Sequence, residues 1–327
     1  MIDRRAFLGT LTLGVFAVPS TVPAQSGRKV YRIGLFHVGL DHVPPSLEGL
    51  RQGLKTLGYE EGQNIRLDFR NLPDEAAARV TAGEFVRDRV DIIVAFESQT
   101  VRAAQAATRD IPIVFLHVTD PVADGFVESL ARPGGNLTGF GEFFGDLHAK
   151  KLEVFTMLLP RPKRLLILTG HDDPMSQRDV EEARRAARAL RVELLEREVT
   201  DERSLAIVFS RLRSGEVQGV VVVSSTLVTK FPSAILRYAS TRRLPVALHR
   251  KEWVERGALF SYGANFPAVG RDAAQYVDRI LKGALPSSLP VQQVSRLEFV
   301  INLKTAKALG LTIPPSVLAR ADKVIHQ

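Results

Sequence analysis

One rhythm, written twice, constrains this chain more than any other feature. A short apolar run gives way to an amphipathic stretch, another apolar run follows, and the order then recurs. Ile33, Ile92 and Val114 sit in three runs of the first half. Leu165, Val220 and Val246 sit at matching places in the second, at offsets of 132, 128 and 132 residues. Runs such as 91–96 and 219–223 are apolar almost throughout, as strands become when helices cover both faces of a parallel sheet. Leu47, Leu50, Leu54 and Leu57 mark one helix face, and Val180, Ala183, Ala187 and Leu190 mark its counterpart. Asp74 and Asp201 suit helix caps, and Asp120-Pro121 and Asp173-Pro174 are cap-plus-proline starts. The expected fold is α/β, two Rossmann-like parallel-sheet lobes built on βαβαβ units. The halves share pattern and negligible identity.

The tail breaks a simple two-bead scheme. A strand is expected over 258–262. Gly270, Ala273, Ala274, Val277 and Leu281 form one more helix face, Gly283 and Pro286 end it, and 297–301 reads as a final strand. These extra elements imply that the chain crosses back between lobes, and several crossings make a hinge. The expected division is 29–142 plus 258–285 for the N-terminal lobe and 143–257 plus 286–327 for the C-terminal lobe.

Composition removes whole classes of function. The 327 residues include no cysteine, which excludes a disulfide scaffold, a cysteine zinc site, an iron–sulfur cluster and a thiol nucleophile. The formal charge of +8 is mild for this length and unclustered, so no nucleic-acid face is expected. Residues 1–24 have a charged start, a short apolar centre and a small-residue end, Val22-Pro23-Ala24, which fits cleavage after Ala24. Arg4-Arg5 before Ala6-Phe7-Leu8 resembles a twin-arginine export signal; a general secretory signal is the alternative. Both place the mature chain in a bacterial periplasm. No stretch reaches the length of a membrane span.

In open parallel sheets, ligands sit beyond the carboxyl ends of the strands, where helix N-termini offer unpaired N–H groups. The first-lobe candidates are Glu97, Ser98, Gln99 and Thr100; the second-lobe candidates are Ser224, Ser225 and Thr226. A serine or threonine there can equally cap a helix. Asp120 suits a cap and stays among the candidates. Four of the seven histidines, His37, His117, His171 and His249, fall at predicted strand ends, two in each lobe. Imidazoles there can donate to an anion or stack on a ring. Glu97 and Asp172 can receive an ammonium, and Tyr262 can form an aromatic wall. No metal-ligand spacing is present, and no cofactor is expected. Nucleophile-elbow, Walker, zincin and dinucleotide motifs are all missing, so an enzyme is not expected.

Four stretches carry a resemblance. They are Gly58-Tyr59-Glu60-Glu61-Gly62-Gln63-Asn64-Ile65, then Asp120-Pro121-Val122 with Ser129 to Gly139 (Ser-Leu-Ala-Arg-Pro-Gly-Gly-Asn-Leu-Thr-Gly), then Gly257 to Gly263 (Gly-Ala-Leu-Phe-Ser-Tyr-Gly), and Phe299 to Pro314, which contains Ile301-Asn302-Leu303-Lys304-Thr305-Ala306. Together they resemble the ABC-transporter substrate-binding family that includes tryptophan/tyrosine-binding proteins, across essentially the whole mature chain. The resemblance implies a type I periplasmic binding protein with three crossovers. Its cleft would hold a small organic solute, either an amino acid or an aromatic or carboxylate compound. It also implies an ABC permease in the inner membrane as partner, and a monomer is expected. The alternatives are a receptor for a membrane sensor and a periplasmic enzyme using the histidine-lined cleft.

Overall fold

A computed structural model of the chain describes residues 29–39, 43–142, 145–159, 162–170 and 174–326. The expected export segment therefore lies outside the described residues. The first lobe begins with β1 (Tyr31–Val38), α1 (Pro45–Thr56), β2 (Ile65–Leu72) and α2 (Glu75–Arg87). It continues with β3 (Ile92–Phe96), α3 (Glu97–Ala107), β4 (Ile113–Val118) and β5 (Leu137–Gly141). The second lobe runs through α4 (Gly145–Leu158), β6 (Arg164–Gly170), α5 (Pro174–Leu190), β7 (Glu193–Val199) and α6 (Glu202–Arg211). Then come β8 (Val220–Val222), α7 (Ser225–Lys230), α8 (Pro232–Thr241), β9 (Val246–Leu248), α9 (Lys251–Glu255) and β10 (Phe260–Ala264). The chain returns to the first lobe for α10 (Phe266–Leu281) and β11 (Gln292–Gln293). It ends in the second with β12 (Leu297–Asn302), α11 (Leu303–Ala308), α12 (Pro315–Leu318) and β13 (Lys323–Ile325).

Among the described residues, one sheet has the order β2-β1-β3-β4-β5-β11 and the other β7-β6-β8-β9-β10-β12-β13. All neighbours are parallel except β10 and β12. Both sheets reverse strand order between their first and third strands, the switch point at which a crevice opens. Alternation builds a core on each face. Ile92, Val94 and Phe96 join one cluster with Leu47, Leu50 and Leu54, while Ile93 and Ala95 join another with Phe85 and Val101. Leu165 and Ile167 of β6 likewise face one core, and Leu166 and Leu168 the other. No described helix is long and apolar enough to cross a membrane.

The chain passes between lobes three times, from β5 to α4, from β10 to α10 and from β11 to β12. This arrangement corrects two expected boundaries. The strand at 260–264 pairs with β9 and β12 in the second sheet, not the first. Residues 286–293 stay with the first lobe: Thr138 Oγ1 donates to the Leu289 carbonyl at 2.6 Å, and β11 lies beside β5. A continuous apolar strand carries no mark of which sheet accepts it, so its lobe could not be read from its residues. The structure also adds β13 after β12, where 297–301 was expected to be last.

The returning helix α10 is locked onto α1 by glycines. A Cβ on Gly270 would lie 1.9 Å from the Ser46 carbonyl oxygen, and one on Gly49 2.0 Å from that of Pro267. Backbones can approach this closely only where no side chain intervenes. Gly270→Ala is expected to destabilise by about 1–3 kcal/mol through overpacking, read as a lower urea midpoint at unchanged m. An unmoved midpoint would mean that the two helices separate freely.

Candidate functional site

The first lobe presents three neighbouring strand tips. β1 ends near His37, β3 runs into Glu97 and β4 carries His117 near its end. Glu97 (φ 71°) and His117 (φ 62°) both adopt the left-handed backbone region. For residues other than glycine such strain costs on the order of 1–3 kcal/mol each and collects at functional sites. The ladder between β4 and β5 also shifts register between Phe115 and Val118, beside His117.

Glu97 is held from both lobes. His37 Nε2 donates to Glu97 Oε1 at 3.1 Å, and Arg250 Nη2 from the second lobe donates to the same oxygen at 3.0 Å. Burial pushes the Glu97 carboxyl up, but His37, Arg250 and His117 outweigh it and hold it at about 2. The side chain still keeps 28% of its exposure, so water and solute can reach it. His37 is buried, and its Nδ1 has no hydrogen-bond partner among the described residues.

His117 spends both nitrogens within the protein. Glu142, just past β5, accepts from Nδ1. The other nitrogen, Nε2, lies 2.8 Å from Ser46 Oγ, within hydrogen-bond reach of the hydroxyl. Ser46 is 1% exposed, so this serine–imidazole–carboxylate row is a bridge between elements, not an accessible nucleophile. The His117 ring also meets Phe266 edge-on at 4.7 Å and stacks on Phe96 at 6.2 Å.

The second lobe contributes a base-rich wall. Arg250 follows β9 and lies 4.9 Å over the Phe266 ring; its Nε has no hydrogen-bond partner among the described residues. Burial, with Arg250, Lys151, His148 and His117 behind it, depresses the His249 pKa well below the usual imidazole range. Burial, then Lys151, does the same to His148, whose Nε2 lies 3.3 Å from Asp179 Oδ2. Lys151 on α4 is fully buried, with a long 3.4 Å contact to the Val222 carbonyl at the tip of β8. Burial brings its pKa down to about 7 against an opposing pull from Asp179. Above pH 7 the unfolded chain holds a Lys151 proton that the folded chain sheds, so stability rises with pH between 7 and 10.5. Lys151→Met is therefore expected to raise the unfolding free energy of the solute-free protein at pH 6–7 by about 1–4 kcal/mol, read as a higher urea midpoint. The gain should shrink toward pH 10, and a pH-independent difference would refute it.

The other candidates scatter. Ser98 Oγ donates to Asp124 Oδ2 at 2.6 Å. Thr100 turns back onto the Phe96 carbonyl at 2.5 Å, and Gln99 is exposed. Asp120 accepts from Ala123 N at 3.0 Å, closing a turn and not a helix. Ser224 caps α7 through Leu227 N. Tyr262 is half-buried and lines a groove of about 520 Å³ with Leu147, Lys150, Glu153, Leu190 and Leu297; His37, Glu97, His117 and Arg250 do not line it. His171, Asp172 and the side chain of Ser225 lie outside the described residues. Among the described residues no group of three or more His, Asp or Glu is placed to hold a metal.

Sequence reasoning missed Arg250, Phe266, Ser46, Glu142 and Lys151. Two signals were available. Arg250 adjoins a histidine at a strand end. Lys151 stands one turn after Leu147 and one before Phe155, where the helix period calls for an apolar residue.

Two open α/β lobes, joined by three passages and meeting through polar strand tips, define a two-lobed solute receptor of the type I periplasmic binding protein fold. A family model described as ABC transporter substrate binding protein matches residues 36–325, and the chain belongs to that family. The family is one of binding proteins, not catalysts. A tyrosine-binding protein of Clostridioides difficile is 29% identical over 272 residues, 82% of this chain and 78% of the relative. A conserved domain protein from Vibrio cholerae superposes with a TM-score of 0.79 at 29% identity, covering 90% of this chain and all of that one. An ABC domain from Streptococcus pneumoniae in complex with L-Trp gives 0.79 at 26% identity, with 91% and 100% coverage. The ligand-free, open structure of CD0873 from Clostridium difficile gives 0.70 at 27% identity over the same shares.

Proposed function

We propose that this chain is the exported solute-binding component of an ABC uptake transporter, and that its solute is a zwitterionic amino acid with an aromatic side chain. The observation that carries this reading is the Glu97–Arg250 pair, an acid from one lobe and a base from the other 3.0 Å apart. A solute ammonium can take Arg250's place on Glu97 while the solute carboxylate takes Glu97's place on the guanidinium. Closure around a zwitterion then replaces one ion pair with two. A molecule with only one of the two charges leaves a protein charge without its partner, which is costly in a desolvated cleft. The Phe266 ring lies 4.9 Å from the Arg250 guanidinium, and Phe96 directly precedes Glu97. The names of two relatives, one tyrosine-binding and one solved with L-Trp, support the aromatic preference. The higher TM-score to the ligand-bound relative than to the open one supports a closed arrangement here.

Calorimetry with L-tyrosine, L-tryptophan, tyramine and 4-hydroxyphenylpropionate tests the assignment. The amino acids should bind, and both single-charge analogues should bind roughly 100-fold or more weakly. The base-rich second lobe, with Lys151, His249 and Arg250, favours a second reading in which a carboxylate alone suffices. Equal affinity for 4-hydroxyphenylpropionate would select that reading, and no binding by any of the four would reject both. Uptake by a deletion strain separates delivery to an inner-membrane permease from signalling through a membrane sensor. Cell fractionation checks the periplasmic location.

A further inference from the structure

His117 was a candidate solute contact by its position at a strand end, yet its surroundings leave it no free nitrogen. One nitrogen goes to Glu142 on the first passage between lobes. The other goes to Ser46, whose backbone is pressed against Gly270 of the returning helix. One ring edge meets Phe266, the first residue after the second passage. The ring therefore touches the residue where the first passage leaves the first lobe, the residue where the second re-enters it, and the helix pair that anchors the second. The contacts also close a circuit. Phe266 carries the Arg250 guanidinium, Arg250 reaches Glu97, and Glu97 follows Phe96, on which His117 stacks. The left-handed backbone of His117 and the slipped β4–β5 register fit this placement, because they lift the ring out of the regular ladder at Glu142. The Glu142 amide in turn donates to the Val118 carbonyl at 2.7 Å.

We infer that His117 is a positioning residue of the hinge: it does not touch solute, but ties two inter-lobe passages to the first lobe and so fixes the geometry in which Arg250 meets Glu97. This rests on the two-lobed family assignment and not on the identity of the solute, so its test needs no ligand. The chain has no cysteine, so Val80→Cys on α2 and Ile207→Cys on α6, both exposed, give one clean spin-label pair across the lobes. Pulsed electron–electron resonance then reads the inter-lobe distance in the solute-free protein.

His117→Asn keeps a residue that accepts left-handed backbone and removes the Ser46 link; Glu142→Gln leaves the fold's packing intact and weakens the other link. Each is expected to broaden the distance distribution roughly twofold as alternative lobe arrangements become populated. The double variant should broaden it no further than the larger single effect, because both substitutions loosen one node. Distributions unchanged in both single variants would overturn the inference. So would simple addition of the two effects, which would make them separate contacts. A direct solute contact at His117 predicts the opposite pattern, an unchanged distance distribution with L-tyrosine affinity lost. If neither L-tyrosine nor L-tryptophan binds the parent, the amino-acid reading fails while the distance measurement still decides the role of His117.

Discussion

Replacing Arg250 with alanine is expected to weaken solute binding by about 2–5 kcal/mol, at least 30-fold, as for truncating one member of a buried, hydrogen-bonded charge pair. The Arg250 side chain is 10% exposed and spans the lobes to Glu97. It rests on Phe266, and its Nε, without a partner among the described residues, is a donor that an incoming carboxylate can use. Arg250→Lys should lose most of the same affinity, because a point charge cannot reproduce a planar fork on a carboxylate. Glu97→Gln should act through the other end of the solute and penalise the amino acid more than 4-hydroxyphenylpropionate. The measurement is calorimetric titration of each variant beside the parent. An Arg250→Ala protein that binds within threefold of the parent would remove the cross-lobe pair from the site.

Acidification is expected to unfold this protein from the second lobe's chemistry outward. His148 and His249 are buried with pKa values held well below the ordinary 6.5. Each imidazole accepts a proton readily only once the chain unfolds. Below pH 6.5 the unfolded state therefore binds more protons, and each histidine removes up to about 1.4 kcal/mol of stability per pH unit. Glu97, held at about 2 against an ordinary 4.5, contributes stability above pH 4.5 that is lost as pH falls from there toward 2. Two histidines together give a slope of up to roughly 2.7 kcal/mol per pH unit below 6.5, large against a typical total of about 5–15 kcal/mol. Urea midpoints at pH 7.5, 6.5, 5.5 and 4.5 measure it. Either His148→Asn or His249→Asn should roughly halve the slope between 6.5 and 5.5, and a parent whose midpoint is level over that interval would contradict this account.

The two lobes were legible because their cause is local and repeated. An all-apolar strand such as 92–96 and a helix face such as Leu47-Leu50-Leu54 each announce burial by their spacing. The sheet that accepted β10 was not legible, because Phe260 has the same apolar character beside either neighbour. At the candidate site, the rule that ligands gather at the carboxyl ends of strands points to Glu97, His37 and His117. Their partners were not legible. The links from His117 to Ser46 and Glu142 span 71 and 25 residues, and no periodicity encodes a contact made by folding. Ser98 and Thr100 were chosen for their hydroxyls, but those hydroxyls satisfy nearby acceptors, as short polar side chains at helix starts commonly do. Trp253 is buried in the second lobe's core with Arg256 4.6 Å from its ring.

The three passages have a mechanical consequence. A single tether would let one body swivel, slide and tilt against the other. Three straps side by side resist twist and shear, because either motion must stretch at least one of them. What survives is rotation about one line through the straps, so the molecule has nearly one coordinate of large-scale movement. A single well-placed ruler between the bodies should then report the whole trajectory from gaping to shut.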